Sequence, residues 1–230
     1  MTWDKPRKAN WSTAGRSVVF LLSSSSITCL LFDFYKICPM RLFTVAVFVP
    51  AMMALAMLTI FDWQRGDGQL ARAVLIGLVG GLLAAVAYDI FRLPFVFAKA
   101  WDIASIVPPM NLFKVFPRFG AMILGQPIEQ DTYSRVAILL GWIYHFSNGA
   151  TFGVMYVALV GDGARRHWAW AVAMAVVLEL GMLLTPYPQV FQIAVSTTFV
   201  LVTMAAHAVF GVGLGLMVKW LSCRQMQALR

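Results

Sequence analysis

Five stretches of this chain, at about 42–61, 71–91, 134–160, 168–186 and 194–218, are apolar over the ~20 residues that a helix needs to cross a bilayer core. Hydrocarbon offers no water to backbone N–H and C=O groups, so only α-helices and closed β-barrels satisfy themselves there. Barrel strands would read as short alternating segments of about ten residues, and these runs are long and continuous. The predicted class is therefore all-α, a polytopic transmembrane helix bundle. Composition agrees: 60% of the residues are hydrophobic and 12% charged, where a soluble domain carries about a quarter charged residues.

A sixth, weaker candidate lies at about 17–32, "SVVFLLSSSSITCLLF", short and broken by four consecutive serines. Residues 1–39 thus read either as a leader or as a weak extra span, with Met40 opening a span of its own in "MRLFTVAVFVPAMMALAMLTIF". Residues 40–222 form the transmembrane domain and 223–230 a short tail. Within that domain, 92–133 is an apolar loop cut by Pro94, Pro108, Pro109, Pro117 and Pro127. Proline removes a donor and clashes inside a helix, so this stretch suits interfacial pieces or a re-entrant turn against the bundle.

The net charge of +8 has its ordinary meaning in a membrane chain, Lys and Arg kept on the cytoplasmic side. If 17–32 spans, 11 basic residues fall on the side of both termini and 7 on the other. If it does not, the N-terminus lies outside and the C-terminus still inside. Either way the expected location is a cell inner (cytoplasmic) membrane with a cytoplasmic C-terminus, and the expected partner is the lipid bilayer. No arginine-rich patch with interleaved aromatics points to nucleic acid. Cys29, Cys38 and Cys223 form no CxxC pattern and read as free thiols.

Against that apolar background a few polar residues stand out. Asp89 and Arg92 are three apart near the outer end of the second confident span, on one helical face and able to pair. His145, Asn148, Gly149, Gly153 and Tyr156 share one stripe of the third. Glu179 sits in the fourth span, and Thr203, His207, Gly211 and Gly215 line one face of the fifth. Ionisable groups in the membrane normally face the bundle interior and find partners there. A layer of His145, Glu179 and His207, with Asp89 and Arg92 at its outer end, would handle protons, ions or a small solute, because imidazole titrates near neutrality. Two other chemistries use the same residues. Two histidines and a carboxylate (His145, His207, Glu179) form a familiar metal-ligand set, and two histidines on facing helices can clasp a haem, which would make the chain a membrane oxidoreductase. Alternatively the glycines at four-residue spacing are packing devices, and the chain is a structural or assembly partner in a membrane complex. A chain this small, without an inverted repeat, would gain the bulk of a transporter as a homo-oligomer.

"HFSNGATFG" from His145 and "HAVFGVGLG" from His207 share H-x-x-x-G-x-x-x-G. They lie one span apart and so run in the same direction. The order of features from 77 to 224 resembles the YagU-like group of small bacterial inner-membrane proteins. A Gly/Ala-rich helix leads to charge and proline (Gly77 to Pro94), followed by His145, Phe146, Ser147 and Tyr156 on one helix. Trp168 opens the next, which ends in Leu184, Thr185 and Pro186, and His207 and Gly211 come late before a basic end. The region between Arg92 and Ser134 departs from that pattern apart from the pair Pro108 and Pro109. The resemblance implies a membrane protein and carries no activity with it.

Overall fold

A computed structural model describes residues 12–228; Lys5, Arg7 and Lys8 of the basic N-terminal head, and Arg230 at the other end, lie outside the described residues. Among the described residues all regular structure is helical: α1 (Thr13–Phe34), α2 (Met40–Phe43), a π-helical turn (Thr44–Phe48), α3 (Val49–Arg65), α4 (Gln69–Val96), a 3-10 turn (Leu112–Lys114), α5 (Val115–Leu124), α6 (Arg135–Val160), α7 (Ala169–Leu183), α8 (Tyr187–Val190) and α9 (Thr197–Ala228). Helix α2, the π turn and α3 run on as one rod, Met40–Arg65.

The span count differs from the sequence expectation. Among the described residues four helices are long and apolar enough to cross a membrane: Thr13–Phe34, Met40–Arg65, Gln69–Val96 and Thr197–Gln227. The chain is thus a membrane-embedded helical bundle, and α1 counts among its spans. Its serines are compatible with that because they satisfy themselves. Ser23 donates to the Val19 carbonyl at 2.8 Å, Ser24 to Leu21 at 2.9 Å and Ser25 to Leu22 at 2.6 Å. The hydroxyls of Ser26 and Thr151 bond each other across the α1–α6 seam at 2.7 Å, and Tyr144 donates to the Ser26 carbonyl at 2.7 Å. The expected span at 134–160 is a 26-residue helix that carries His145, Ser147, Asn148 and Thr151 and is not among the four. The expected span at 168–186 is only 15 residues long, short of the ~20 needed to cross. Pro94 also fails to end its helix: α4 runs through it to Val96, as membrane helices permit when neighbours re-satisfy the backbone.

Helix α6 is central. It lies antiparallel to α4, and the backbones touch: a Cβ built on Gly77 would stand 2.7 Å from the Gly153 carbonyl oxygen, and one on Gly81 would enter the Gly149 carbonyl. Only glycine fits such a crossing. Helix α5, ten residues and ~15 Å long, crosses at most half a bilayer and rests on α6 through Gly120 and Gly141. Gly211 and Gly215 of α9 close on Val172 and Trp168, at and just before the start of α7. Arg16 of α1 donates through Nε to the Ala158 carbonyl at 2.7 Å and through Nη2 to that of Leu159, supplying donors to the end of α6. At the opposite end Phe34, Met40, Phe116, Phe119, Tyr144 and Phe191 pack into an aromatic core that floors the site.

Candidate functional site

The glycine seams decide where the histidines arrive. His145 lies one turn before Gly149 on α6 and therefore emerges beside the far end of α4, where Asp89 waits. His145 Nε2 is 2.9 Å from Asp89 Oδ2. His207 lies one turn before Gly211 on α9 and meets Glu179 of α7, with Nε2 3.4 Å from Oε2. The two H-x-x-x-G-x-x-x-G helices thus do the same thing. Each packs its glycines on a neighbour and offers its histidine to a carboxylate of that same neighbour. Arg135 to His145 and Thr197 to His207 are equal steps along their helices, about 15 Å of rise.

Tyr88 stands between the pairs. Its ring centroid is 5.9 Å from that of His145 and 5.0 Å from that of His207. Arg92 completes the first pair. Its Nη1 is 3.4 Å from Asp89 Oδ1, its Nη2 donates to the Leu112 carbonyl, and its guanidinium lies over the rings of Tyr88, Phe113 and Phe116. Asp89, Arg92 and Glu179 are all buried. Of the sequence-predicted residues, His145, Asn148, Glu179, His207 and Arg92 line one cavity of about 500 Å³, and Asp89 sits behind His145 and Arg92.

Hydrogen-bond bookkeeping assigns protons. His207 Nδ1 is 2.9 Å from the Thr203 carbonyl, which only accepts, so Nδ1 carries a hydrogen. Facing Glu179, Nε2 then needs one proton between the two atoms, on nitrogen as an imidazolium–carboxylate pair or on oxygen as a carboxylic acid donating to nitrogen. Asp89 accepts from Arg92 through Oδ1, and His145 Nε2 faces its other oxygen, Oδ2. The site therefore holds a His–carboxylate contact on either side of an aromatic ring.

The donor set does not suit the metal and haem readings. Among the described residues no three His, Cys, Asp or Glu side chains converge as a metal group. The set His145, His207 and Glu179 is divided, because Asp89 takes His145. A haem clasped by both histidines would have to occupy the place of Tyr88.

The sequence reading did not single out Lys114, Arg118 or Phe191 among the residues that line the cavity. Lys114 and Arg118 line it from the segment that was read only as a broken loop, and Phe191 lines it from the α8 side. Arg118 Nη1 donates to the Phe191 carbonyl at 2.5 Å and Nη2 pairs with Glu129 at 2.6 Å. The one signal for it was a lone arginine in an apolar, proline-rich stretch. Two buried atoms here, Arg118 Nε and Asn148 Oδ1, have no hydrogen-bond partner among the described residues. No protein-family model, curated protein or solved structure matches the chain.

Proposed function

We propose that this chain is a proton-linked protein of a bacterial-type inner membrane that binds and moves a small solute without converting it chemically. The observation that carries the reading is the pair of His–carboxylate contacts, 2.9 Å and 3.4 Å, flanking Tyr88 in one cavity. Imidazole and carboxylate at such distances exchange a proton with little movement of heavy atoms, and occupancy of the cavity between them would bias which atom holds it. A concave, mostly apolar chamber with a few convergent polar groups is the usual form of a small-molecule site.

A cytoplasmic C-terminus goes with this reading. Arg65, Arg72, Arg165, Arg166, Lys219 and Arg224 cluster at the α3–α4 and α6–α7 junctions and the end of α9, the bundle end away from the cavity. Both His–carboxylate pairs also fall inside 77–224, the region whose order of features resembles the YagU-like group.

Infrared spectroscopy of the full chain in bilayers tests the proposal. The expected result is a carboxyl C=O band whose intensity changes with pH and that disappears in Glu179→Gln. A wild-type spectrum with no pH-dependent carboxyl band sinks the reading.

A further inference from the structure

The cavity is more cationic than its proton chemistry requires. Arg92, Lys114 and Arg118 all line it. Asp89 answers Arg92, while Lys114 and Arg118 share a single carboxylate, Glu129, at 3.8 Å and 2.6 Å. The Glu179–His207 pair, with its one proton, adds no net charge, and His145 beside Asp89 adds no negative charge. One positive charge is left over. Lys114 and Arg118 share it: Arg118 meets Glu129 and the Phe191 carbonyl through its two Nη atoms, but it is 5% exposed and keeps Nε buried with no partner among the described residues. Burying a guanidinium donor unpaired is unfavourable, so a site that does so is complete only with an acceptor.

Around that charge the lining is apolar. Leu30, Phe119, Phe152, Phe199 and Phe210 face the same space, and about 500 Å³ lies within the range of sites for small organic molecules, ~300–1,000 Å³. We propose that the solute is a small organic monoanion, a carboxylate on an apolar body, with its charged head at Arg118 and Lys114 and its body among the phenylalanines. The inference rests on the proton-linked reading in one respect, the neutrality of the Glu179–His207 pair. The same head chemistry reaches the cavity in two ways, as a free acid from water or as the head of an anionic lipid from the bilayer.

The test is equilibrium binding of radiolabelled octanoate to the full chain in phosphatidylcholine nanodiscs. Saturable binding at one site is expected, weakened by about tenfold or more in Arg118→Gln, since a hydrogen bond to a charged group is worth that factor. Arg165→Gln, far from the cavity, should bind as wild type, and octylamine should not compete. Should Arg118→Gln fail to assemble, Lys114→Gln, whose side chain is half exposed, must by itself weaken octanoate. Competition by added phosphatidylglycerol identifies a lipid head as the natural occupant, and its absence identifies the free acid. Octanoate that binds without saturation, or equally to the wild type and to these variants, overturns the proposal. Octanoate binding that persists in Glu179→Gln while the infrared titration is absent from the wild type would keep the anion site and remove the proton linkage.

Discussion

Glu179 and His207 face each other across the α7–α9 seam at 3.4 Å, with the other nitrogen of the imidazole already donating to the carbonyl of Thr203. Replacing the acid tests what that arrangement holds. In Glu179→Gln the amide can donate to Nε2, so the imidazole stays neutral and the helices stay paired. In Glu179→Leu a buried ring nitrogen loses its partner, at a cost of about 1–3 kcal/mol. Unfolding in a denaturing detergent should rank wild type and Gln together and Leu below them. A Leu variant as stable as wild type would mean that the pair contributes nothing to folding.

The α4–α6 crossing makes a sharper stability prediction. Gly81→Ala drives a methyl into the Gly149 carbonyl, and overpacking of this kind costs about 1–3 kcal/mol. Gly181→Ala, on α7 with nothing within 4 Å of its new methyl, should be neutral or gain up to about 1 kcal/mol from helix propensity. Detergent unfolding of the two variants side by side is the measurement, and equal effects would contradict the close crossing.

Asn148→Leu separates stability from function. Asn148 Oδ1 is buried with no partner among the described residues, so an apolar residue of similar size should leave stability unchanged or raise it by up to about 2 kcal/mol. The cavity changes polarity at the same time, and octanoate affinity should change with it. A marked loss of stability would mean that Asn148 has a structural partner.

Arg92 is predicted to be the most sensitive single position. It is buried, pairs with Asp89 and lies over three aromatic rings. Arg92→Gln leaves Asp89 with His145 alone, and breaking a buried pair from one side costs about 3–5 kcal/mol. Arg92→Gln with Asp89→Asn should recover part of that loss. A double variant no better than the single would show that packing of the guanidinium on the rings, and not charge, is what is lost.

The membrane bundle was legible because hydrocarbon imposes a coarse rule, length and apolarity, that single segments either meet or miss. The errors arose where side chains change that rule locally. Four serines made α1 look unsuited to a span, yet serine hydroxyls return their hydrogen bonds to the preceding turn. Pro94 looked like a terminus and lies two residues inside one. The site was half legible for a different reason. That His145, Glu179 and His207 face inward follows from the energetics of polar groups in lipid, but which carboxylate meets which histidine depends on glycine seams between helices. The Gly77–Gly153 crossing that brings Asp89 to His145 leaves no periodic mark beyond small residues four apart. Arg118 left only the weak mark of an arginine in an apolar, proline-rich stretch, which does not distinguish a buried arginine from one in a loop.

That crossing also limits how the molecule can work. With backbone against backbone at Gly77, Gly81, Gly149 and Gly153, α4 and α6 behave mechanically as one piece, and rocking between them would open a gap that no side chain is there to fill. Helix α5 is held to α6 in the same way, through Gly120 and Gly141, so the piece left to move at the cavity is the stretch around α8. Arg118, reaching the Phe191 carbonyl, and the packing of Phe116 and Phe119 with Phe191 tie that stretch to α5. The side chain that would greet an incoming anion is therefore also part of the latch on its door.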